Sequence, residues 1–208
     1  LGYVAITGIT TGKVIDFGFR DSLNMGACMA PAACDTISQH LHDFRRIPTD
    51  YDAVITGDLG MVGRQILIDL MNSSGFDLAP VHQDCGLLIY DNKSQDTHSG
   101  GSGCGCAASV LAAYILPRVV SGFWKRILFV PTGAMLSKVS FNEGEPVAGI
   151  AHALVIEHIS KKTEVWSWTI LMHSGLAASS AHLFRFYWTE PDFFLAVSWC
   201  FWSVPVQY

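Results

Sequence analysis

A glycine-rich stretch with two cysteines is the part of the sequence best suited to chemistry. It reads HSGGSGCGCAAS from His98 to Ser109, and a predicted helix follows its glycines directly. Backbone N–H groups at the positive end of a helix suit a carboxylate or a phosphate. Glycines that only let a helix start pack closely under a loop explain the stretch equally well. The loose G-x-G-x-x-A dinucleotide pattern of Gly103, Gly105 and Ala108 is weak, because the preceding predicted strand ends too early.

The cysteines permit two further kinds of chemistry, metal binding and nucleophilic attack. The C-x-C spacing does not match structural zinc sites, and small buried thiols are the more common case. The ligands of such a zinc site would be Cys85, His98, Cys104 and Cys106. A nucleophilic cysteine needs a neighbouring base, and Cys104 at the start of the predicted helix is the best candidate. His152, in the last predicted strand, is interpreted as a core histidine rather than as that base.

Two aspartates stand out because they adjoin predicted strands. Asp58, within TGDLG, comes just past the carboxyl end of a strand, where ligands bind in open α/β sheets. The same residue is equally well placed to cap the following helix. Asp84, within HQDCG, is either a turn-forming residue or an acid in a pocket.

The order of the predicted elements indicates an α/β fold. Short apolar runs predict strands, and apolar residues three or four positions apart predict helices. The predicted helices are Ala30–Phe44, one through Val62, Ile66 and Leu70 that stops near Gly75, and one over 107–122 that Pro117 should kink or shorten. The predicted strands are a pair within 3–18, Asp52–Thr56, Cys85–Tyr90, Lys125–Gly133 and Gly149–His158. This order predicts a layered domain with a mixed sheet flanked by helices.

Composition excludes several classes of protein. Hydrophobic residues make up 50% of the 208 residues, which is enough for a sizeable core and excludes disorder over the whole length. The formal net charge is -5 at pH 7 and no basic run occurs, which disfavours a nucleic-acid partner. Six cysteines are too few for a small disulfide-stapled domain, so we expect reduced, cytosolic thiols. The opening residues lack signal-peptide features, and we expect an amino-terminally incomplete chain.

Residues 163–208 differ in composition from the preceding part, so we divide the chain into a domain at 1–162 and an atypical hydrophobic tail. The tail contains most of the 6 tryptophans and few charged residues. Its apolar run Phe193–Val204 is shorter than the roughly 20 residues that span a bilayer. Because it has no helical or alternating periodicity, the tail is interpreted as out-of-frame or disordered sequence in preference to a membrane-surface segment.

Several segments together resemble the carboxyl-terminal half of the stage V sporulation protein AD family, which has a thiolase-like fold. They are ITGITTGKVIDFG, DSLNMGACMAPAACDTI, DYDAVITGDLGMVGRQIL, DCGLLIYD, GGSGCGCAAS and GIAHALVIE. The resemblance extends from about Gly2 to Glu157. It implies a layered thiolase-like half-fold without its amino-terminal half, through which thiolase-like proteins generally dimerise. We therefore expect exposed apolar surface on this chain.

The resemblance also implies a function. The family is implicated in moving calcium-chelated dipicolinic acid into the developing spore. The expected partners are dipicolinic acid and other subunits of a spore membrane transport complex. The expected location is the cytoplasmic face of the spore or forespore inner membrane, as a peripheral protein.

Similarity to type III β-ketoacyl synthases implies that catalytic groups have been lost. It places Gly57 where those enzymes have a catalytic histidine, and Cys104 where they have an asparagine. We therefore expect a binding protein rather than an enzyme. The alternatives are a thiolase-like acyltransferase with a cysteine nucleophile and a purely structural subunit.

The resemblance places the candidate ligand contacts around a pocket inherited from condensing enzymes. The expected carboxylate contacts are the N–H groups of Gly101, Ser102 and Gly103, with Cys104 beside them. The residues expected to line the site or to touch bound calcium are Asp58, Asp84 and Cys85. No resident cofactor or metal is expected, apart from calcium that arrives with dipicolinate.

Overall fold

The structure of the chain, a computed structural model, describes residues 3–21, 24–91, 93–101 and 103–160. Its strands are β1 (Tyr3–Thr10), β2 (Ala53–Thr56), β3 (His82–Asp84), β4 (Arg126–Val130), β5 (Thr132–Met135), β6 (Ala148–Ala151) and β7 (Ala153–Ile159). Its α-helices are α1 (Met25–Phe44), α2 (Gly60–Ser73), α3 (Cys85–Leu88), α4 (Cys106–Val110), α5 (Leu116–Val120) and α6 (Lys138–Asn142). A 3₁₀ turn lies at Pro48–Asp50 and a π-helical turn at Leu111–Ile115.

Five strands form one mixed sheet in the order β1-β7-β4-β2-β3. Strand β2 is parallel to β3 and β4, whereas β7 is antiparallel to β4 and β1. The last residues of β1, β2, β3 and β4 therefore lie at one end of the sheet, where β7 begins. We call this the carboxyl end of the sheet. The pair β5 and β6 forms a separate antiparallel sheet that continues from it. The predicted α/β class with a mixed, helix-flanked sheet is confirmed.

Each face of the five-stranded sheet has its own apolar core. Helix α1 lies over one face, where Val54 and Leu128 are fully buried. The helical segment 106–120 lies over the other, where Ile55 and Ile127 are fully buried. Adjacent residues of one strand point to opposite faces, so these strands carry continuous apolar runs rather than an alternating pattern. The central strands are thereby fixed, and their ends are held in place.

Helix α1 begins five residues earlier than the sequence predicted. The side chain of Asn24 accepts a hydrogen bond from the N–H of Ala27 at 3.3 Å and caps the helix. Pro31 consequently lies inside the helix instead of in its first turn. The helix ends at Arg45, which adopts a left-handed conformation with φ of 52°.

The segment 106–120 is helical throughout, and a π turn interrupts its α-helical pattern. Pro117 has no N–H to donate to the preceding turn. The N–H of Leu116 donates to the carbonyl of Leu111, five residues back, which defines the π turn. Pro117 does not shorten the segment, which continues to Val120, and the π turn lies directly before it.

Four strand predictions are wrong in detail. The strand predicted over Lys125–Gly133 is split at Pro131 into β4 and β5, which belong to different sheets. The apolar run predicted as the strand Cys85–Tyr90 begins with helix α3, and β3 lies just before it; short apolar runs do not separate strand from helix. The second strand of the opening pair is a single bridge between Ile15 and Gly149. The last predicted strand is split into β6 and β7 at His152.

The predictions about the tail, residues 163–208, lie outside the described residues. Within the ranges that the structure describes, no helix is both long enough and apolar enough to cross a membrane. Phe17, Phe123 and Val139 are among the exposed large hydrophobic side chains of the described part. The predicted apolar surface left by a missing half stays a prediction.

A buried histidine connects β1, α1 and the segment before β2. The guanidinium of Arg46 donates to the hydroxyl of Tyr51 at 3.1 Å, so this hydroxyl can donate its own hydrogen to His40 Nε2 at 2.6 Å. His40 Nδ1 is also hydrogen-bonded to the hydroxyl of Thr10, at 2.7 Å. Burial lowers the pKa of His40 to about 4, so the imidazole is neutral at pH 7.

We predict that acid destabilises the fold because two buried histidines must stay neutral. Burial lowers the pKa of His40 to about 4 and that of His82 to about 3, against 6.5 for both when unfolded. Their stabilising contribution is complete above pH 6.5 and is lost as pH falls from 6.5 towards those folded-state values. The free energy of unfolding should fall by about 1 kcal/mol per histidine between pH 7 and about pH 5.5.

Urea unfolding across this pH range tests the prediction. His40→Gln should flatten the pH dependence, whereas His42→Gln, at an exposed position on the same helix, should leave it unchanged. A free energy of unfolding that does not change over this range would contradict the prediction.

Candidate functional site

The polar residues that follow three parallel strands meet at the carboxyl end of the sheet. Thr56 ends β2 and Asp58 lies two residues beyond it. Asp84 ends β3, and Thr132 lies two residues beyond the end of β4. Because β2 pairs with both β3 and β4, these ends are adjacent. The structure thus brings together the two aspartates that the sequence singled out.

Asp84 is a buried carboxylate directed at protein donors. One oxygen accepts from the Thr56 hydroxyl at 2.6 Å and from the N–H of Leu59 at 3.0 Å, and the other accepts from the N–H of Gly60 at 3.0 Å. The residue is 1% exposed. Burial raises its pKa, which these hydrogen bonds lower and the nearby charge of Asp58 raises. Asp84 therefore fixes the start of α2, and its predicted contact with a ligand stays a prediction.

The hydrogen bond from Thr56 to Asp84 determines which nitrogen of His82 carries a proton. Because the Thr56 hydroxyl donates to the carboxylate, it accepts from His82 Nε2 at 3.0 Å. His82 is 6% exposed, and its Nδ1 is buried without a partner. Burial, together with the charge of Arg64, lowers the pKa of His82 to about 3. His82 is therefore neutral and carries its proton on Nε2.

Asp58 is the half-buried carboxylate at this end of the sheet. It accepts from the N–H of Gly103 at 3.1 Å and from the hydroxyl of Thr132 at 3.3 Å. Burial raises its pKa, while the bonds from Gly103 and Thr132 lower it. The predicted alternative, a cap on α2, is wrong, because the first N–H groups of that helix donate to Asp84 instead. Asp58 is therefore available for another role.

The thiols of Cys85 and Cys106 are buried near the two aspartates and are unreactive. Cys85 is fully buried, and burial, followed by the charge of Asp84, raises its pKa far above the usual range. Burial raises the pKa of Cys106 to about 11, with Asp58 the next largest cause. A thiol without its thiolate form is neither a nucleophile nor a metal ligand. Cys104, by contrast, is exposed.

The glycine-rich loop is tied to the site by backbone hydrogen bonds. The carbonyl of Ser99 accepts from the N–H of Met61 at 2.6 Å, and the N–H of Gly101 donates to the carbonyl of Gly86 at 2.6 Å. Gly100 and Gly103 have φ of 127° and 128°, which other residues rarely adopt. A Cβ at Gly86 would lie 2.5 Å from the carbonyl oxygen of Gly101.

The amides predicted to bind carboxylate already have acceptors in this structure. The N–H of Gly101 donates to Gly86, and that of Gly103 donates to Asp58. A ligand would have to replace these acceptors. Ser102 lies outside the described residues. The proposed carboxylate contacts of all three residues stay predictions. In this structure the loop contacts Asp58 through the N–H of Gly103.

Gly57 has no room for a side chain. A Cβ there would lie 2.6 Å from the hydroxyl and 2.7 Å from the backbone nitrogen of Thr132. A histidine, which the resemblance to condensing enzymes places at this position, would require the end of β4 to move. The close packing of Thr132 against Gly57 therefore leaves no space for a histidine base at position 57.

Cys104 has no visible activating base. The six histidines in the described ranges have hydrogen-bond or ion-pair partners elsewhere, and none of them bonds to this thiol. In the same ranges no three histidine, cysteine, aspartate or glutamate side chains cluster to hold a metal ion. The four residues considered as zinc ligands therefore form no such cluster in these ranges.

Two polar residues of this end were missed from the sequence. Thr132 follows the buried strand β4 just as Asp58 follows β2, so the same rule about strand ends identifies it. His152 was interpreted as a core histidine, but it is exposed at the start of β7, and its Nδ1 accepts from the N–H of Gly12 at 3.0 Å. The interpretation failed because the strand was predicted to run through this position.

Comparison with known proteins gives two concordant matches. The sequence model of the family described as "Stage V sporulation protein AD (SpoVAD)" matches residues 2–157. The chain is 44% identical over 156 residues to "Stage V sporulation protein AD" of Bacillus subtilis (strain 168). The aligned part is 75% of this chain and 46% of that relative, so the chain matches about half of the relative's length.

We predict that Asp84→Asn destabilises the protein by about 2 kcal/mol, because the amide nitrogen cannot accept and leaves a buried donor without a partner. Urea unfolding at neutral pH measures the change. Asp69→Asn, an exposed position on α2, is the matched control and should change the free energy of unfolding by less than about 0.5 kcal/mol. Equal losses in the two variants would contradict the role assigned to Asp84.

Proposed function

Because the chain belongs to the stage V sporulation protein AD family, we propose that it contributes to a binding site for dipicolinic acid in its calcium chelate. The site is the carboxyl end of the sheet, and Asp58 is its central residue. The protein acts without catalysis, as the binding component of a spore membrane transport complex. It works as a peripheral protein at the cytoplasmic face of the spore or forespore inner membrane, with other subunits of that complex.

The charge of the site favours the chelate over the free acid. Dipicolinate is a dianion at neutral pH, and Asp58 and Asp84 add carboxylates at the place where it would bind. In the described part of the chain, no lysine or arginine side chain bonds to either aspartate. A free dianion would meet like charge without a cation to offset it. The calcium chelate carries its own cation.

Asp58 has the properties of a calcium ligand. Calcium takes six to eight oxygen ligands in flexible geometry, about half of which dipicolinate leaves open. The carboxylate of Asp58 is half-buried, and its two hydrogen bonds at 3.1 and 3.3 Å are long. Each oxygen retains a lone pair for a metal ion. The adjacent Thr132 hydroxyl holds the carboxylate in place.

The observation that supports a binding role over catalysis is the packing at Gly57. A Cβ at this position would meet Thr132 at 2.6 Å, so the site has no space for the base of a condensing enzyme. The exposed Cys104 is the remaining candidate for acyl transfer, and no described histidine bonds to it. Acyl-enzyme formation that disappears in Cys104→Ala would favour the acyltransferase alternative.

Calorimetric titration of the full chain tests the proposal. Calcium dipicolinate should bind, and dipicolinate with a calcium chelator should bind at least about tenfold more weakly. Asp58→Asn should weaken binding of the chelate about tenfold or more, because it removes the negative ligand of the cation. Asp69→Asn, exposed on α2, should bind as the unchanged protein does. Absence of binding to either form of dipicolinate would refute the proposal.

A further inference from the structure

Thr132 connects the two sheets of the molecule at the candidate site. It follows Pro131, where the chain leaves β4 of the five-stranded sheet, and it is the first residue of β5 in the two-stranded sheet. Its partly buried hydroxyl contacts Asp58, which lies just beyond the end of β2. A residue of the second sheet therefore contacts the carboxylate that follows a strand of the first.

The Thr132 hydroxyl contacts Asp58 at two points. Its oxygen accepts from the backbone N–H of Asp58 at 3.3 Å, and its hydrogen is donated to carboxylate Oδ1 of the same residue, also at 3.3 Å. Each contact is long for a hydrogen bond, but together they connect the main chain of Asp58 to its own side chain. A hydroxyl that bridges both groups restrains the direction of the carboxylate.

The second oxygen of this carboxylate is held from another segment. Oδ2 of Asp58 accepts from the N–H of Gly103 at 3.1 Å. Donors from two segments, one on each oxygen, fix the plane of the carboxylate, whereas a single donor allows it to turn about that contact. Without the Thr132 hydroxyl, Gly103 would be the one donor to this carboxylate that the hydrogen bonds of the described ranges supply.

Thr132 is itself held on two sides. Its hydroxyl and its backbone nitrogen lie 2.6 and 2.7 Å from the place that a Cβ would take at Gly57, so it packs against the backbone directly before Asp58. It also pairs with Ala151 of β6, whose carbonyl accepts from the buried hydroxyl of Thr36 in α1 at 3.0 Å. The hydroxyl of Thr132 is therefore a fixed point of reference for Asp58.

We propose that Thr132 is a positioning residue of the ligand site, whose hydroxyl holds the Asp58 carboxylate in the orientation that binds the calcium of the chelate. This inference rests on the proposed function and adds that β5, a strand of the second sheet, controls the cation ligand. Thr132 acts through Asp58 and needs no contact with the ligand. A carboxylate that is already oriented loses less side-chain entropy when the cation binds.

Two substitutions at Thr132 separate the hydroxyl from the shape of the side chain. Thr132→Val replaces the hydroxyl by a methyl group, and Thr132→Ser keeps the hydroxyl. Thr10→Val is the matched control, because it removes a buried hydroxyl that is hydrogen-bonded to His40 at 2.7 Å and does not contact Asp58. Calcium dipicolinate is titrated into the full chain of each variant by calorimetry, and the melting temperature is recorded.

The expected result is a loss of affinity in Thr132→Val alone. Its dissociation constant should rise about fivefold, the effect of losing one hydrogen bond of ordinary strength. Thr132→Ser should bind within about twofold of the unchanged protein, because its hydroxyl still reaches Asp58. Thr10→Val should lower the melting temperature and leave the affinity within about twofold of the unchanged protein.

A double substitution tests whether Thr132 acts through Asp58. Asp58→Ala removes the carboxylate, so the hydroxyl has no group left to orient. Thr132→Val should therefore weaken binding about fivefold when Asp58 is present and less than about twofold in the Asp58→Ala background. A general structural effect of the valine would weaken binding equally in both backgrounds.

Three outcomes would overturn the inference. Unchanged affinity in Thr132→Val, while Asp58→Asn still weakens binding, would remove Thr132 from the site and leave the proposed function intact. Equal weakening with and without the Asp58 carboxylate, or in Thr132→Ser as much as in Thr132→Val, would show that the hydroxyl does not act by orienting Asp58. No binding by the unchanged protein would refute the proposed function and this inference together.

Discussion

The buried carboxylate of Asp84 is the constraint on which the site depends. An ionised carboxylate is costly to bury unless hydrogen bonds replace its water, and here donors from the end of β2 and the start of α2 do so. These bonds join β3, β2 and α2 at one point. They also satisfy the first N–H groups of α2, which would otherwise need a cap or a bound anion. Asp58 is consequently not needed to cap α2. The N–H groups that donate to Asp84 are not free to bind an anionic ligand.

Close backbone approach is the second feature of this end of the molecule. Gly57 lies against Thr132, and Gly86 lies against the carbonyl of Gly101, at distances that leave no space for a Cβ. Backbone packing therefore leaves no room for a side chain at either of these two glycines. The loop that this packing immobilises brings the N–H of Gly103 to Asp58. The same packing thus excludes a side chain at position 57 and holds the loop beside Asp58.

The sequence predicted the α/β class and the position of Asp58 because both depend on local patterns. Apolar runs mark β2 and β4, and a polar residue just past a strand end marks the site. The cap on α2 was misassigned because its acceptor, Asp84, comes from another strand 24 residues along the chain. The acceptors that the N–H groups of Gly101 and Gly103 have in this structure could not be predicted for a similar reason, since they belong to other segments. His152 was placed in the core because the break between β6 and β7 has no marker such as proline or glycine at that residue. Hydrogen bonds between distant segments decide these points.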